Sequence, residues 1–216
     1  MLLPLDRFHL NEEDAFRFIG RKIFGEVYRT VSNMSRRAGT IYSLQGTLGS
    51  GKSHILAALV CLLIKEGKRV VYILDARVFA TNIVDYTKEA MQLAYADDQV
   101  LFEQIEGFSF TADILQFSKE RSTRGDWWHL ICDQMNAVDH FPDSANTLDP
   151  DAQMEALWFI WSLSGYHYFI WSDSGNCREA ASDNAHQNSG AKWLVFERGY
   201  TRVRCSQFFY LILTSD

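Results

Sequence analysis

Residues 46 to 53 read Gly-Thr-Leu-Gly-Ser-Gly-Lys-Ser. Three glycines in so short a stretch let the backbone fold around an anion with its N–H groups turned inward. A helix beginning at Lys52 would add the partial positive charge of its N-terminus. At this spacing Lys52 is suited to the β- and γ-phosphates of a nucleotide, and Ser53 offers a hydroxyl to Mg²⁺. The pattern G-x-x-x-x-G-K-[ST] is met at every fixed position. From average glycine and lysine usage, chance produces it in roughly one chain in a hundred of this length. The expected phosphate contacts are therefore Gly46, Thr47, Leu48, Gly49, Ser50, Gly51, Lys52 and Ser53, with His54 next on the helix, and the expected cofactors are ATP and Mg²⁺.

A phosphate loop needs a carboxylate on a neighbouring strand to hold the metal through water. "WWHLICD" places Asp133 after an apolar run, where the carboxyl ends of parallel strands build sites. Asp75, ending "VVYILD", is the rival. Chain order favours Asp133, because the additional-strand class of these NTPases carries the metal carboxylate on its third strand. The residue after that aspartate is usually a water-activating glutamate, and here it is Gln134. Glutamine cannot take a proton but can orient a water, so slow or partner-dependent hydrolysis is expected. The stretch "IWSDSGN" offers Ser172, Ser174 and Asn176 as γ-phosphate sensors. Arg178 and Arg198 follow strands and are candidate phosphate contacts, in the same subunit or a neighbour's.

The elements that must position these residues alternate. Asn11, followed by Glu12, Glu13 and Asp14, reads as the N-cap of a first helix. Ile23, Val27 and Val31 are spaced for a second, broken by Gly39. "TIYSL" reads as a strand ending at Gln45, and Lys52 to Glu66 as a helix buried on most faces and closed by Gly67. "RVVYILDA" is a second strand, residues 81 to 121 are helical pieces separated near Asp97 and Gly107, and "DWWHLICDQ" is a third strand. Asp149 and Pro150 open a helix; "YHYFIWSDSG" is a fourth strand, 179 to 186 a weak helix, and "AKWLVFERG" a fifth strand. Thr201 is placed to cap a last helix. Strands alternating with helices imply an α/β fold of the P-loop NTPase type. A mostly parallel five-stranded sheet is expected, in order 5-1-4-3-2 with helices on both faces. Residues 1 to 38 are expected to form a helical lead-in, and 39 to 216 the NTPase core.

Composition narrows the partners. The net charge of −6 does not support direct nucleic-acid binding, which rests on phosphate neutralisation. The Arg36–Arg37 pair and the Arg198, Arg202, Arg204 trio read as solvated surface. Ile55 to Ile64, the longest apolar run, is too short to span a bilayer, and "MLLPLDRFHL" is a poor signal peptide, so an intracellular location, cytoplasm or nucleus, is expected. Cys61 and Cys132 sit in apolar runs, and Cys61, Cys132, Cys177 and Cys205 form no C-x-x-C pair. The apolar "QFFYLIL" close to Asp216 suggests a fragment or a trimmed chain that has lost a C-terminal effector domain, and a homo-oligomer is a second partner expectation.

Two stretches carry a family resemblance. "FIGRKIFGEVY", residues 18 to 28, resembles the hydrophobic-hydrophobic-Gly-Arg element ahead of the phosphate loop in AAA-type and STAND ATPases. That resemblance implies that Phe18, Ile19, Gly20 and Arg21 lie near an adenine base. "ICDQMNAVD", together with "GTLGSGKSH", "VVYILD" and "RGYTRVRCSQF", resembles the P-loop ATPase region of Crinkler effectors and of retrotransposon hot spot proteins. It implies an ATPase region that acts inside host cells, often in the nucleus, with a nuclease-like domain following it. No P-D…[DE]-x-K nuclease set and no translocation leader are read in this chain.

Three active readings follow from these residues: an ATPase, a nucleotide-dependent switch or oligomerisation module with negligible hydrolysis, and a small-molecule kinase. The absence of an arginine-rich lid segment and the expected strand order argue against the kinase. Intact Gly46, Gly51, Lys52 and Ser53 argue against a degenerate structural protein.

Overall fold

The computed structural model describes residues 16–19, 22–34, 41–46, 49–139, 148–173, 192–196 and 208–211. Five strands form one parallel sheet: β2 (Ile41–Gly46), β3 (Arg69–Ile73), β4 (Trp128–Cys132), β5 (Tyr168–Ser172) and β6 (Lys192–Phe196). Their order is β3-β4-β5-β2-β6. That is the expected 5-1-4-3-2 arrangement, since β2 to β6 are the five strands read from the sequence. The register pairs Ile73 with Cys132, Cys132 with Trp171, and Leu44 with Ser172. The strand ends carrying Gly46, Asp133 and Ser172 therefore share one edge.

Alternation along each strand divides the core between the two faces. Tyr42, Leu44, Val70, Tyr72, Ile131 and Ile170 pack on one face, against α1 (Lys22–Ser32) and α2 (Lys52–Lys65). Val71, Ile73, Trp128, Leu130, Cys132, Phe169 and Trp171 pack on the other. There they meet α3 (Ala76–Thr81), α4 (Ile83–Ala94), α5 (Gln99–Glu106), α6 (Thr111–Thr123), α7 (Asn136–Asp139) and α8 (Pro150–Ser164). Helix α1 buries Val27 and Val31, one step of the expected four-residue spacing. Helix α2 buries Ile55 through Cys61 without interruption, which fits its apolar sequence. Gly67 closes α2 at φ 71°: its N–H donates to Ile64 O (2.9 Å) and the Lys68 N–H to Leu63 O (2.9 Å). This is a Schellman closure, in which the left-handed residue is best glycine.

The N- and C-terminal stretches differ from expectation. Phe16–Ile19 is a strand, β1, paired antiparallel with β7 (Phe208–Leu211), so Ile19 faces Phe208 in register. A helix opening at Asn11 does not run through Phe16, and a helix capped by Thr201 does not run through Phe208. Asn11 and Thr201 themselves lie outside the described residues, as do Gly39, the weak helix at 179 to 186, and Arg36, Arg37, Cys177, Arg202, Arg204 and Cys205. Helix α8 begins where Asp149 and Pro150 predict, with Pro150 in the first turn, but the Asp149 side chain makes no capping hydrogen bond. The short α7 has no counterpart in the sequence reading. Among the described residues, no helix is long and apolar enough to cross a membrane.

Candidate functional site

The bend between β2 and α2 is built on two left-handed glycines, Gly49 (φ 76°) and Gly51 (φ 83°). Gly51 is the N-cap of α2. A residue with a Cβ is strained at either position, although space around Gly49 is open. The constraint at Gly49 is therefore its backbone angle rather than crowding. Lys52 follows with only 6% of its surface exposed. Its ammonium donates to Gly46 O at 2.8 Å and to Ser50 Oγ at 3.2 Å. Burial lowers the Lys52 pKa, and the negative charges of Asp133 and Asp173 act against that shift. The bend thus presents a buried cation beside a helix N-terminus, with two carboxylates near it. Ser53 is half-buried on the first turn of α2, and His54 is exposed. Thr47, Leu48, Gly20 and Arg21 lie outside the described residues. Phe18 is buried in the core and meets Phe24 edge-on at 4.9 Å.

Asp133 caps the end of β4 and is buried. Its N–H donates to Ile73 O (2.8 Å), and its carbonyl accepts from the Ala76 N–H (3.2 Å). Its Oδ1 accepts from the Ser172 hydroxyl and from the Gln134 N–H (2.9 Å). One carboxylate oxygen is thereby oriented by donors on two strands' ends. Of the three polar residues read as sensors, Ser172 is the one seen to reach Asp133; Ser174 and Asn176 lie outside the described residues, as do Arg178 and Arg198. Gln134 is the one non-glycine with positive φ among the described residues, at 60°. Its N–H lies 3.4 Å from Ser172 Oγ as well. Left-handed backbone at a non-glycine stores strain, and here it sits beside Asp133.

The rival Asp75 has a different task. Its Oδ1 accepts from the Arg77 N–H (2.9 Å) and the Val78 N–H (3.4 Å), so it caps α3. Asp173 was not singled out in the sequence. It directly follows β5, is 7% exposed, and donates its N–H to Leu44 O at 3.1 Å. Because β5 lies between β4 and β2, Asp173 stands between Asp133 and the glycine bend. The signal was present in "IWSDSGN", but the sequence reading weighed only the neutral residues of that stretch.

Hard oxygen donors, Ser53 and Asp133, suit Mg²⁺, and a buried ammonium in a glycine-rich bend at a helix N-terminus suits phosphate oxygens. The residues present fit both groups.

No protein-family model and no curated protein sequence matches the chain. Among solved structures, the ORC2 protein of Aeropyrum pernix, in ADPNP–ADP complexes, matches with a TM-score of 0.50 at 14% identity, over 82% of this chain and 47% of that one. The fold is that of a P-loop NTPase. DnaA from Aquifex aeolicus, bound to AMPPCP, matches with a TM-score of 0.44 at 17% identity, over 90% of this chain and 50% of that one. The DnaC helicase loader gives 0.43 at 18%, over 88% and 94%. The chain spans about half the length of the ORC2 and DnaA structures.

Proposed function

We propose that this chain is a Mg²⁺-dependent ATP-binding P-loop NTPase whose hydrolysis is slow or depends on a partner. The observation that carries the reading is the Lys52 ammonium, buried at the N-terminus of α2 on Gly46 O and Ser50 Oγ. The bend's own oxygens and the charges of Asp133 and Asp173 hold that cation in place, and a nucleotide's β- and γ-phosphates are the anion that a lysine at this position of a glycine bend matches. In this reading Gly46, Thr47, Leu48, Gly49, Ser50 and Gly51 wrap the phosphates, with His54 at the rim. Ser53 and Asp133 hold Mg²⁺, which when bound neutralises charge on the phosphate oxygens. The Ser172 hydroxyl fixes which Asp133 oxygen is left for the metal's water shell. Gln134 orients water without accepting its proton. Ile19, Gly20 and Arg21 meet the adenine, a placement that rests on the family resemblance of that element. The Crinkler-like affiliation rests on the combination of short motifs. A homo-oligomer or an appended effector domain would supply the output.

Gln134 also favours a second reading, a nucleotide-dependent switch or oligomerisation module with negligible turnover. One experiment tests both. ATP·Mg²⁺ is titrated calorimetrically into the wild type and Lys52→Ala, and phosphate release is followed on the same samples. Binding by the wild type, weakened at least about a hundredfold in the variant, supports the nucleotide site; this corresponds to the loss of a charge-assisted contact of about 3 kcal/mol. Slow release supports the ATPase, and binding without release supports the switch. A folded wild type that binds no ATP·Mg²⁺ removes both.

A further inference from the structure

We propose that Ser172 is a positioning residue for the metal carboxylate of Asp133 and does not sense the γ-phosphate; this rests on the nucleotide-site reading above. The sheet register brings the two residues together. Cys132 of β4 pairs with Trp171 of β5, and Asp133 and Ser172 are the residues that follow them. Both are buried. From this place Ser172 meets three consecutive residues. Its hydroxyl donates to Asp133 Oδ1, its Oγ lies 3.4 Å from the Gln134 N–H, and its carbonyl accepts the Met135 N–H at 2.9 Å. One serine thus ties down the turn after β4. In that turn Gln134 takes φ 60° and gives its N–H to the same Asp133 oxygen at 2.9 Å.

The protons available decide the role. A serine hydroxyl has one O–H to donate and lone pairs with which to accept, whereas an ionised carboxylate only accepts. The proton in the contact between them therefore comes from Ser172. A hydroxyl that spends its proton in this way turns only lone pairs to other groups. Phosphate oxygens are acceptors as well, so Ser172 held on Asp133 has no donor for a γ-phosphate. What it supplies is orientation. The Ser172 hydroxyl and the Gln134 N–H together fix Asp133 Oδ1, and with it the rotation of the carboxylate. In the nucleotide-site reading that carboxylate takes the metal's water shell. Removing an outer hydrogen bond of this kind changes metal affinity by about ten- to a hundredfold. The effect of Ser172 then runs through Mg²⁺ whichever nucleotide carries it, whereas a γ-phosphate contact would show with ATP alone.

The test titrates ATP and ADP calorimetrically, each with Mg²⁺ and each in excess EDTA, into the wild type, Ser172→Ala and Ser172→Thr. The quantity read is the Mg²⁺ advantage, the ratio of affinities with and without the metal. Ser172→Ala is expected to lose about tenfold or more of that advantage with ATP and ADP alike, while metal-free affinities stay within about threefold. Ser172→Thr keeps the hydroxyl and is expected to recover most of the loss. A loss seen with ATP and not with ADP overturns the inference in favour of a γ-phosphate contact. An unchanged Mg²⁺ advantage in Ser172→Ala overturns it. An equal loss with and without the metal overturns it too, since Ser172 would then only hold the fold. Should Ser172→Ala fail to fold, Ser172→Cys, of nearly the same size but with a weak S–H donor, is judged by the same criteria. A wild type that binds nucleotide with no Mg²⁺ advantage overturns the positioning role and leaves the phosphate loop standing. A folded wild type that binds neither nucleotide overturns the nucleotide site, and the positioning role falls with it.

Discussion

Single residues set the character of the candidate site through backbone as much as through side chains. Gly49 and Gly51 are favoured by their φ values, and Lys52 places a buried positive charge in the bend. Gln134 is the residue whose type and conformation disagree: a γ-branchless amide in left-handed backbone, with its N–H on Asp133 Oδ1. For a residue with a Cβ that conformation costs roughly 1–2 kcal/mol, whereas glycine adopts it freely at an entropic cost of about 0.5–1 kcal/mol. Gln134→Gly is therefore expected to be more stable than the wild type by about 0.5–1 kcal/mol. Urea unfolding of the two proteins checks this, and a glycine variant of lower stability would show that the backbone at this position is not strained.

At the scale of elements, the two aspartates at neighbouring strand ends separate cleanly. Asp75 holds the start of α3, and Asp133 faces β5. Asp75→Ala is expected to cost about 1 kcal/mol of stability through the lost cap and to leave ATP·Mg²⁺ affinity within about threefold, a change of under about 0.7 kcal/mol. Asp133→Ala is expected to abolish the Mg²⁺ dependence of binding. Thermal unfolding and calorimetry on both variants make the comparison, and a loss of Mg²⁺-dependent binding in Asp75→Ala would reverse the assignment. Chain order and strand-end position, both readable in sequence, favoured Asp133, and the α3 cap made by Asp75 supports the same proposal. The five strands were legible as short β-branched or aromatic runs, and their order followed from the additional-strand class to which the phosphate loop and Asp133 point. The β1–β7 pair was not legible, since Phe16 meets Leu211 across almost the whole chain and four-residue strands carry no period. The helical insertion read poorly because its order comes from distant partners. Arg69 pairs with Asp97, and Tyr95 accepts from Trp128 Nε1 (2.6 Å) and donates to Asp126 (2.8 Å). Asp98 caps α5 by accepting from the Leu101 N–H at 3.1 Å. Asp173 escaped notice for a related reason: a string of polar residues after a strand does not reveal which of them neighbouring strands enclose.

At the scale of the whole molecule, two histidines buried among the described residues, His129 and His167, couple stability to pH. His167 accepts the Trp128 N–H on Nδ1 (3.2 Å), so Nε2 carries the proton and donates to Ser118 Oγ at 2.8 Å. Its ring stacks on Trp128 with centroids 4.0 Å apart. Protonating Nδ1 would set two donors against each other, and burial already pushes the His167 pKa down to about 3. His129, at the opposite end of the strands from the glycine bend, is pushed down to about 4, mainly by burial, with Lys68 adding to the shift and the Arg69 backbone and Glu66 opposing it. Both folded values lie below the ordinary 6.5. Between about pH 6.5 and 4 the unfolded chain therefore binds protons on these rings that the folded chain does not, and stability rises with pH across that window. Each ring contributes about 1.4 kcal/mol per pH unit, so two contribute about 2.7. Over two units that is a large part of the roughly 5–15 kcal/mol that holds an ordinary domain folded. Acidification from pH 6.5 toward 4.5 is expected to lower the urea midpoint steeply, with close to two protons taken up on unfolding. His129→Phe should halve that slope, because one of the two rings no longer titrates. A midpoint that stays level between pH 6.5 and 4.5 would mean that neither ring is held neutral by the fold.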